Sequence, residues 1–250
     1  MRTSLPHAWR EATTFNERPP GAEVDMLVLH YTGMVTGEAS IDRLCDPDIA
    51  VSCHYLVDLE GRIVQMVEEQ WRAYQAGVSL WRGVEDNNGR SIGIEIQNKG
   101  HDWGYHAFPE VQMAAVEALS LDILSRHPIP QRNVVGHSDI APGRKIDPGE
   151  FFDWRRLGRA GIGVWVEPAP IEPGQYLQLG DTGEPAEALQ TMFAVYGYGI
   201  EPNGRFDERT RDVVYAFQQH WRQERCDGVA DVSTIKTLRA LIDAIPEDER

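Results

Sequence analysis

The sequence predicts a mixed α/β domain, a central β-sheet flanked by helices, followed by a small all-α domain of three helices. Three observations predict it. Short apolar or alternating runs recur between Met26 and Ser138, interleaved with one clear amphipathic helix. A stretch rich in proline and glycine, "GIGVWVEPAPIEPG" from Gly161 to Gly174, then interrupts the pattern. Beyond it the apolar spacing is purely helical.

Residues 1–25 are polar and proline-rich and read as an irregular lead-in. "MLVLHYT", Met26 to Thr32, is a short apolar run bounded by polar residues, the pattern of a buried strand. "SCHYLVD" and "RIVQMV" flank "LEGR", with Gly61 in the turn, and predict a hairpin. "SIGIEIQN", Ser91 to Asn98, alternates: Ile92, Ile94 and Ile96 face one side, Gly93, Glu95 and Gln97 the other. After Pro109, "VQMAAVEALSLDILSR" has helical spacing. "NVVGHS" reads as a further strand. These elements place the first domain at residues 1–160, a linker at 161–174 and the second domain at 175–250. The second domain carries three apolar stripes: Ala186, Leu189, Met192, Phe193 and Tyr196; then Thr210, Val214, Phe217 and Trp221; then Ile235, Leu238, Leu241 and Ile245. Asp207 suits the N-cap of the second helix, and Ser233 or Asp231 that of the third.

A formal net charge of −15 argues against a broad nucleic-acid or anionic-membrane surface. No apolar run reaches membrane-spanning length, and no obligate protein partner is evident. Three cysteines, Cys45, Cys53 and Cys226, are odd in number and form no CxxC pair, which suggests a reducing compartment. "MRTSLPHAWREATTFNERPPG" has no apolar core of a secretory signal. The expectation from these features is a cytoplasmic protein.

The densest chemistry lies in "VVGHSDIAPGRKIDPG", Val134 to Gly149. A catalytic zinc takes three protein ligands and keeps one position open, and imidazole and carboxylate donors suit it. His30 and His137 each end a strand, so one sheet can bring both together. Asp147 lies across a loop stiffened by Pro142, Gly143 and Pro148, which can fold its far end back. Asp139 is the rival carboxylate, but it stands only two residues from His137; Asp147 is preferred because Pro148 and Gly149 pin the backbone after it. Spacing alone also allows three unrelated polar residues, since no compact HExxH signature is present. His54 is expected to be packed and hydrogen-bonded, and His7, His101, His106, His127 and His220 to be solvated.

"LVLHYTG", "VSCHYLVDLEGRIVQMV", "SIGIEIQNKG" and "VVGHSDIAPGRKIDPG" together resemble the zinc-dependent N-acetylmuramoyl-L-alanine amidases of the AmpD and AmiD type, whose fold peptidoglycan recognition proteins share. The resemblance runs from about residue 15 to residue 160. It implies zinc on His30, His137 and Asp147, a catalytic Glu at Glu95 and a catalytic Lys at Lys145. The implied reaction is hydrolysis of the amide between N-acetylmuramic acid and the first L-alanine of the stem peptide, in peptidoglycan or muropeptides. Glu95 would move the proton from the attacking water to the leaving nitrogen. Lys145 would stabilise the oxyanion. One block departs: "AYQAG", Ala73 to Gly77, has Gln75 where many relatives have a histidine that could border the substrate groove.

Residues 175–245 resemble the three-helix peptidoglycan-binding domain, through Gly180-Asp181, Leu189-Gln190, Gly197-Tyr198, Phe217-Gln218 and Asp227-Gly228. That resemblance implies attachment to cell-wall material and makes a periplasmic location the alternative to the cytoplasmic one. The alternative function is a recognition protein of the same fold without activity. The five retained site residues weigh against it.

Overall fold

The structure is a computed structural model and describes residues 1–245. Its strands are β1 (His7–Trp9), β2 (Phe15–Glu17), β3 (Met26–Tyr31), β4 (Tyr55–Val57), β5 (Ile63–Gln65), β6 (Trp71–Ala73), β7 (Ser91–Ile96) and β8 (Val134–Gly136). Its helices are α1 (Gly37–Cys45), α2 (Asn87–Arg90), α3 (Glu110–Arg126), α4 (His137–Ile140), α5 (Trp154–Arg159), α6 (Glu184–Tyr196), α7 (Glu208–Trp221) and α8 (Val232–Asp243).

Six strands form one sheet in the order β1-β5-β4-β7-β3-β8, and β2 pairs with β6 in a second, two-stranded sheet. The centre is parallel: β3 lies between β7 and β8, and β4 runs parallel to β7. The predicted hairpin is the antiparallel pair β4–β5, closed by a turn with Gly61 at φ +76. The lead-in is more ordered than its composition predicts. β1 caps the sheet edge along β5, and β2 pairs with β6. Arg18 then fastens this segment through hydrogen bonds to the carbonyls of Glu69, Asn88, Gly89 and Ser91. Those contacts are all distant in sequence, so local composition does not reveal them.

Side-chain parity in β3 explains the layering. Leu27 and Leu29 join Ile92, Ile94 and Ile96 on one face, packed under Met113, Val116, Leu119 and Ile123 of α3. Met26 and Val28, with Val135, point the other way and share a core with Phe193, Val214, Phe217 and Leu238 of the C-terminal helices. The helical region is therefore the third layer over part of the sheet, rather than a body hung on a free tether. Segment 161–174 is packed accordingly: Val164, Trp165 and Val166 lie against the shared core, and the Trp221 indole donates to the Val164 carbonyl at 3.1 Å. In the helical region Asp207 caps α7 and Asp231, not Ser233, caps α8, accepting from Thr210 N at 2.9 Å and Thr234 N at 2.8 Å. The remainder of the predicted second domain, residues 246–250, lies outside the described residues.

Candidate active site

Three neighbouring strands deliver the site. In the parallel β3–β7 register His30 stands opposite Glu95, and on the other side of β3 the strand β8 ends at Gly136, opposite Leu29. His137 follows immediately as the first residue of α4. Glu95, His30 and His137 thus line up along the C-terminal ends of β7, β3 and β8, where open α/β sheets present their ligand sites. The loop 141–149 then returns, and Ser138 N donates to the Asp147 carbonyl at 2.9 Å. This brings the Asp147 side chain back to both imidazoles.

The three side chains are buried and meet at a triangle of atoms. His30 Nδ1 lies 3.0 Å from His137 Nδ1 and 3.0 Å from Asp147 Oδ2, and His137 Nδ1 lies 3.1 Å from the same oxygen. Ligands about 2.0–2.1 Å from a tetrahedral ion stand about 3.3 Å apart, close to these separations. The far nitrogens are also spoken for. His30 Nε2 contacts Gln75 Oε1, and His137 Nε2 lies 3.0 Å from the Ala76 carbonyl. With those nitrogens donating, both Nδ1 atoms present lone pairs, which face a carboxylate oxygen. Three converging acceptors need a cation or a proton among them. The residues fit a divalent metal ion.

The electrostatics agree. Burial pulls both imidazoles toward the neutral form; for His137 it prevails, whereas for His30 the hydrogen bond that its protonated ring would donate to Asp147 and the charges of Glu95 and Asp147 outweigh it. Burial works against the Asp147 carboxylate, but the adjacent histidines hold it well below the usual range, so it is an anion. Glu95 behaves oppositely. Burial raises it to about 7, with His30 and Lys145 pulling down and Asp147 pushing up, and its Oε2 is buried without a hydrogen-bond partner. A carboxyl poised near neutrality and facing a cleft has the properties of a general acid–base. Lys145 is half-buried on the wall of the same cavity, which holds about 470 Å³ and is also lined by His30, Gln75, Glu95, His137 and Asp147.

The rival Asp139 is committed elsewhere. Its Oδ2 accepts from Gly136 N at 2.8 Å and His220 Nδ1 at 2.7 Å, and its Oδ1 accepts from the Tyr198 hydroxyl at 2.6 Å. The His220 ring is sandwiched at centroid distances of 3.6 Å from Trp154 and 3.5 Å from Trp221. His220 and His127 are therefore buried, contrary to the solvated role their loop and helix-end positions predict; His127 bonds Glu69 at 2.8 Å. Burial lowers His54 to about 3, and its Nδ1 accepts from Gly93 N at 3.1 Å, so it is packed and hydrogen-bonded as expected, just before β4.

Sequence reasoning missed three contributors. Gln75 is noticed as a departure, but not as a neighbour of His30. The Ala76 carbonyl has no side-chain signal at all. Arg144 is exposed yet bridges the Ala76 and Val78 carbonyls at 2.7 and 2.9 Å, beside His137.

A family model described as N-acetylmuramoyl-L-alanine amidase matches residues 20–150, and one described as a peptidoglycan binding domain matches residues 182–238. The N-acetylmuramoyl-L-alanine amidase AmiD of Escherichia coli is 36% identical over 239 residues, covering 90% of this chain and 84% of its own. The 1,6-anhydro-N-acetylmuramyl-L-alanine amidase AmpD of Haemophilus influenzae is 35% identical over 160 residues, covering 57% of this chain and 85% of its own. Among solved structures, E. coli AmiD in complex with the substrate anhydro-N-acetylmuramic acid-L-Ala-D-gamma-Glu-L-Lys aligns with a TM-score of 0.75 at 33% identity, covering 92% of this chain and 97% of that one. AmpDh3 of Pseudomonas aeruginosa in complex with anhydromuramic pentapeptide aligns with a TM-score of 0.74 at 32% identity, covering 98% and 100%. Kinship of this extent, along nearly the whole chain and on the same fold, identifies it: the chain belongs to the N-acetylmuramoyl-L-alanine amidase family and is an enzyme of that class.

Proposed function

We propose that the chain uses zinc, held by His30, His137 and Asp147, to hydrolyse the amide between the lactyl carbonyl of N-acetylmuramic acid and the nitrogen of L-alanine. The observation that carries this reading is the buried triangle of two imidazole nitrogens and one carboxylate oxygen, 3.0–3.1 Å on each side, next to an unpartnered Glu95 oxygen. Bound there, zinc would supply an activated water and polarise the scissile carbonyl. Glu95 takes the proton released as water adds to the carbonyl carbon. It returns that proton to the alanine nitrogen as the C–N bond breaks, leaving a lactyl carboxylate and a free stem peptide. Lys145 stands on the same wall and offsets the negative charge that develops on the carbonyl oxygen.

Peptidoglycan fragments are the substrates we propose, because the solved complexes of AmiD and AmpDh3 hold anhydromuramyl peptides. The catalytic unit is proposed as residues 1–160 and the wall-binding unit as 175–250, joined by 161–174. Three free thiols favour a cytoplasmic location, which fractionation of cells with an antibody to the native protein tests. The functional reading is tested by stripping the purified chain with a chelator and restoring it with zinc. Cleavage of a muramyl peptide, followed by mass spectrometry, is expected to vanish and return. A chain that cleaves equally well at vanishing metal content defeats the proposal.

A further inference from the structure

The segment after β6 does more than border the cavity. A single side-chain oxygen, Asn88 Oδ1, accepts from both Gln75 N at 3.0 Å and Ala76 N at 2.7 Å, which fixes the backbone there. The same two residues supply the acceptors for the outer nitrogens of both histidines. The Gln75 amide is held at its other end: Nε2 donates to Ser91 Oγ at 2.6 Å, with Oε1 turned to His30. Space for this side chain comes from Gly93 on β7, where an added Cβ would approach Gln75 Cγ to 2.9 Å and the Cys53 sulfur to 2.8 Å. Two strand positions are thus given over to seating one amide.

We infer that Gln75 is a positioning residue: held by Ser91, it accepts the Nε2 proton of His30 and so fixes the tautomer whose Nδ1 is free to bind the metal. The opposite amide orientation would present an NH₂ group to Nε2. His30 would then carry its proton on Nδ1, pointing into the triangle, and could not serve as a ligand. Ala76 needs no such device, because a backbone carbonyl only accepts. His137 is therefore fixed by the chain path, whereas His30 depends on a side chain that can rotate. This inference rests on the metal reading of the triangle and adds the residue that sets its affinity.

The experiment measures zinc affinity of the full chain by competition with a chelating indicator, without substrate. Gln75→Leu removes the acceptor and is expected to weaken zinc binding by roughly 10–100-fold, the usual consequence of losing an outer-shell partner. Gln75→Glu keeps an acceptor and is expected to bind at least as tightly as the parent. Ser91→Ala, which touches no ligand, frees the amide to rotate and is expected to weaken binding several-fold; it carries the test if Gln75→Leu does not fold. In the metal-free parent, long-range ¹H–¹⁵N spectra are expected to show His30 protonated on Nε2. Parent-like affinity in folded Gln75→Leu, or in Ser91→Ala where that variant carries the test, overturns the inference. A parent chain that binds no zinc overturns the metal reading itself, a different and distinguishable outcome.

Discussion

His30 and Glu95 are direct register partners on adjacent parallel strands, so their side chains leave the same face of the sheet at the same level. This places an imidazole of the candidate metal triangle and a half-buried carboxyl side by side without any loop to define the geometry. Glu95→Gln is expected to lower kcat by roughly 10²–10⁴-fold while zinc content stays at the parent level. Cleavage assays paired with metal analysis check it; undiminished activity removes Glu95 from the mechanism.

The same carboxyl has a signature in stability. Its folded pKa, about 7, lies above the ordinary value of 4.5. Between those two values the folded metal-free chain keeps a proton that the unfolded chain releases, so stability falls as pH rises through that window. Glu95→Gln removes the penalty. Its melting temperature in chelator is expected to exceed the parent's at about pH 8 and to match it near pH 4, where both states of the parent are protonated.

Lys145 shares the cavity with Glu95. Lys145→Met is expected to cost roughly 10²–10³-fold in kcat, the scale of a lost oxyanion contact, with KM and zinc affinity little changed. A change confined to KM would assign Lys145 to substrate binding instead.

Asp147 and Asp139 separate cleanly by experiment. Asp147→Ala is expected to drop zinc from about one per chain to nearly none after dialysis, with the fold retained. Normal zinc content in that variant would exclude Asp147 as a ligand.

The Tyr198–Asp139 hydrogen bond, 2.6 Å and fully buried, joins the helical region to α4. Tyr198→Phe is expected to destabilise the chain by roughly 1.5–3 kcal/mol, since it removes a donor to a buried carboxylate. Because the sheet and the C-terminal helices share one core, calorimetry of the parent is expected to give a single transition. Two separate transitions, with only one shifted in the variant, would show that the core is not cooperative.

How much of this was legible depended on the range of the interactions. The strand at Met26–Tyr31, the hairpin around Gly61, helix α3 and the three C-terminal helices follow from periodicity and turn chemistry, because those are local rules. The order in the lead-in was hidden, since Arg18 and the strands β1 and β2 are fixed by partners 50 or more residues away. His220 and His127 read as solvated for the same reason: the acids that bond to them, and the Trp154 indole stacked on His220, come from other elements.

By itself the sequence determined which residues had the chemistry to act: two strand-end imidazoles, a carboxylate behind a stiffened loop, a polar residue on an apolar strand and a lysine. Only the tertiary structure decided which carboxylate closes the triangle, which ring nitrogens face inward, and that the C-terminal helices cover part of the sheet's second face. Residue type and spacing specify donors and periodicity. The convergence of donors, and the partner that fixes each proton, depend on register between strands and on contacts across the chain, which spacing does not encode.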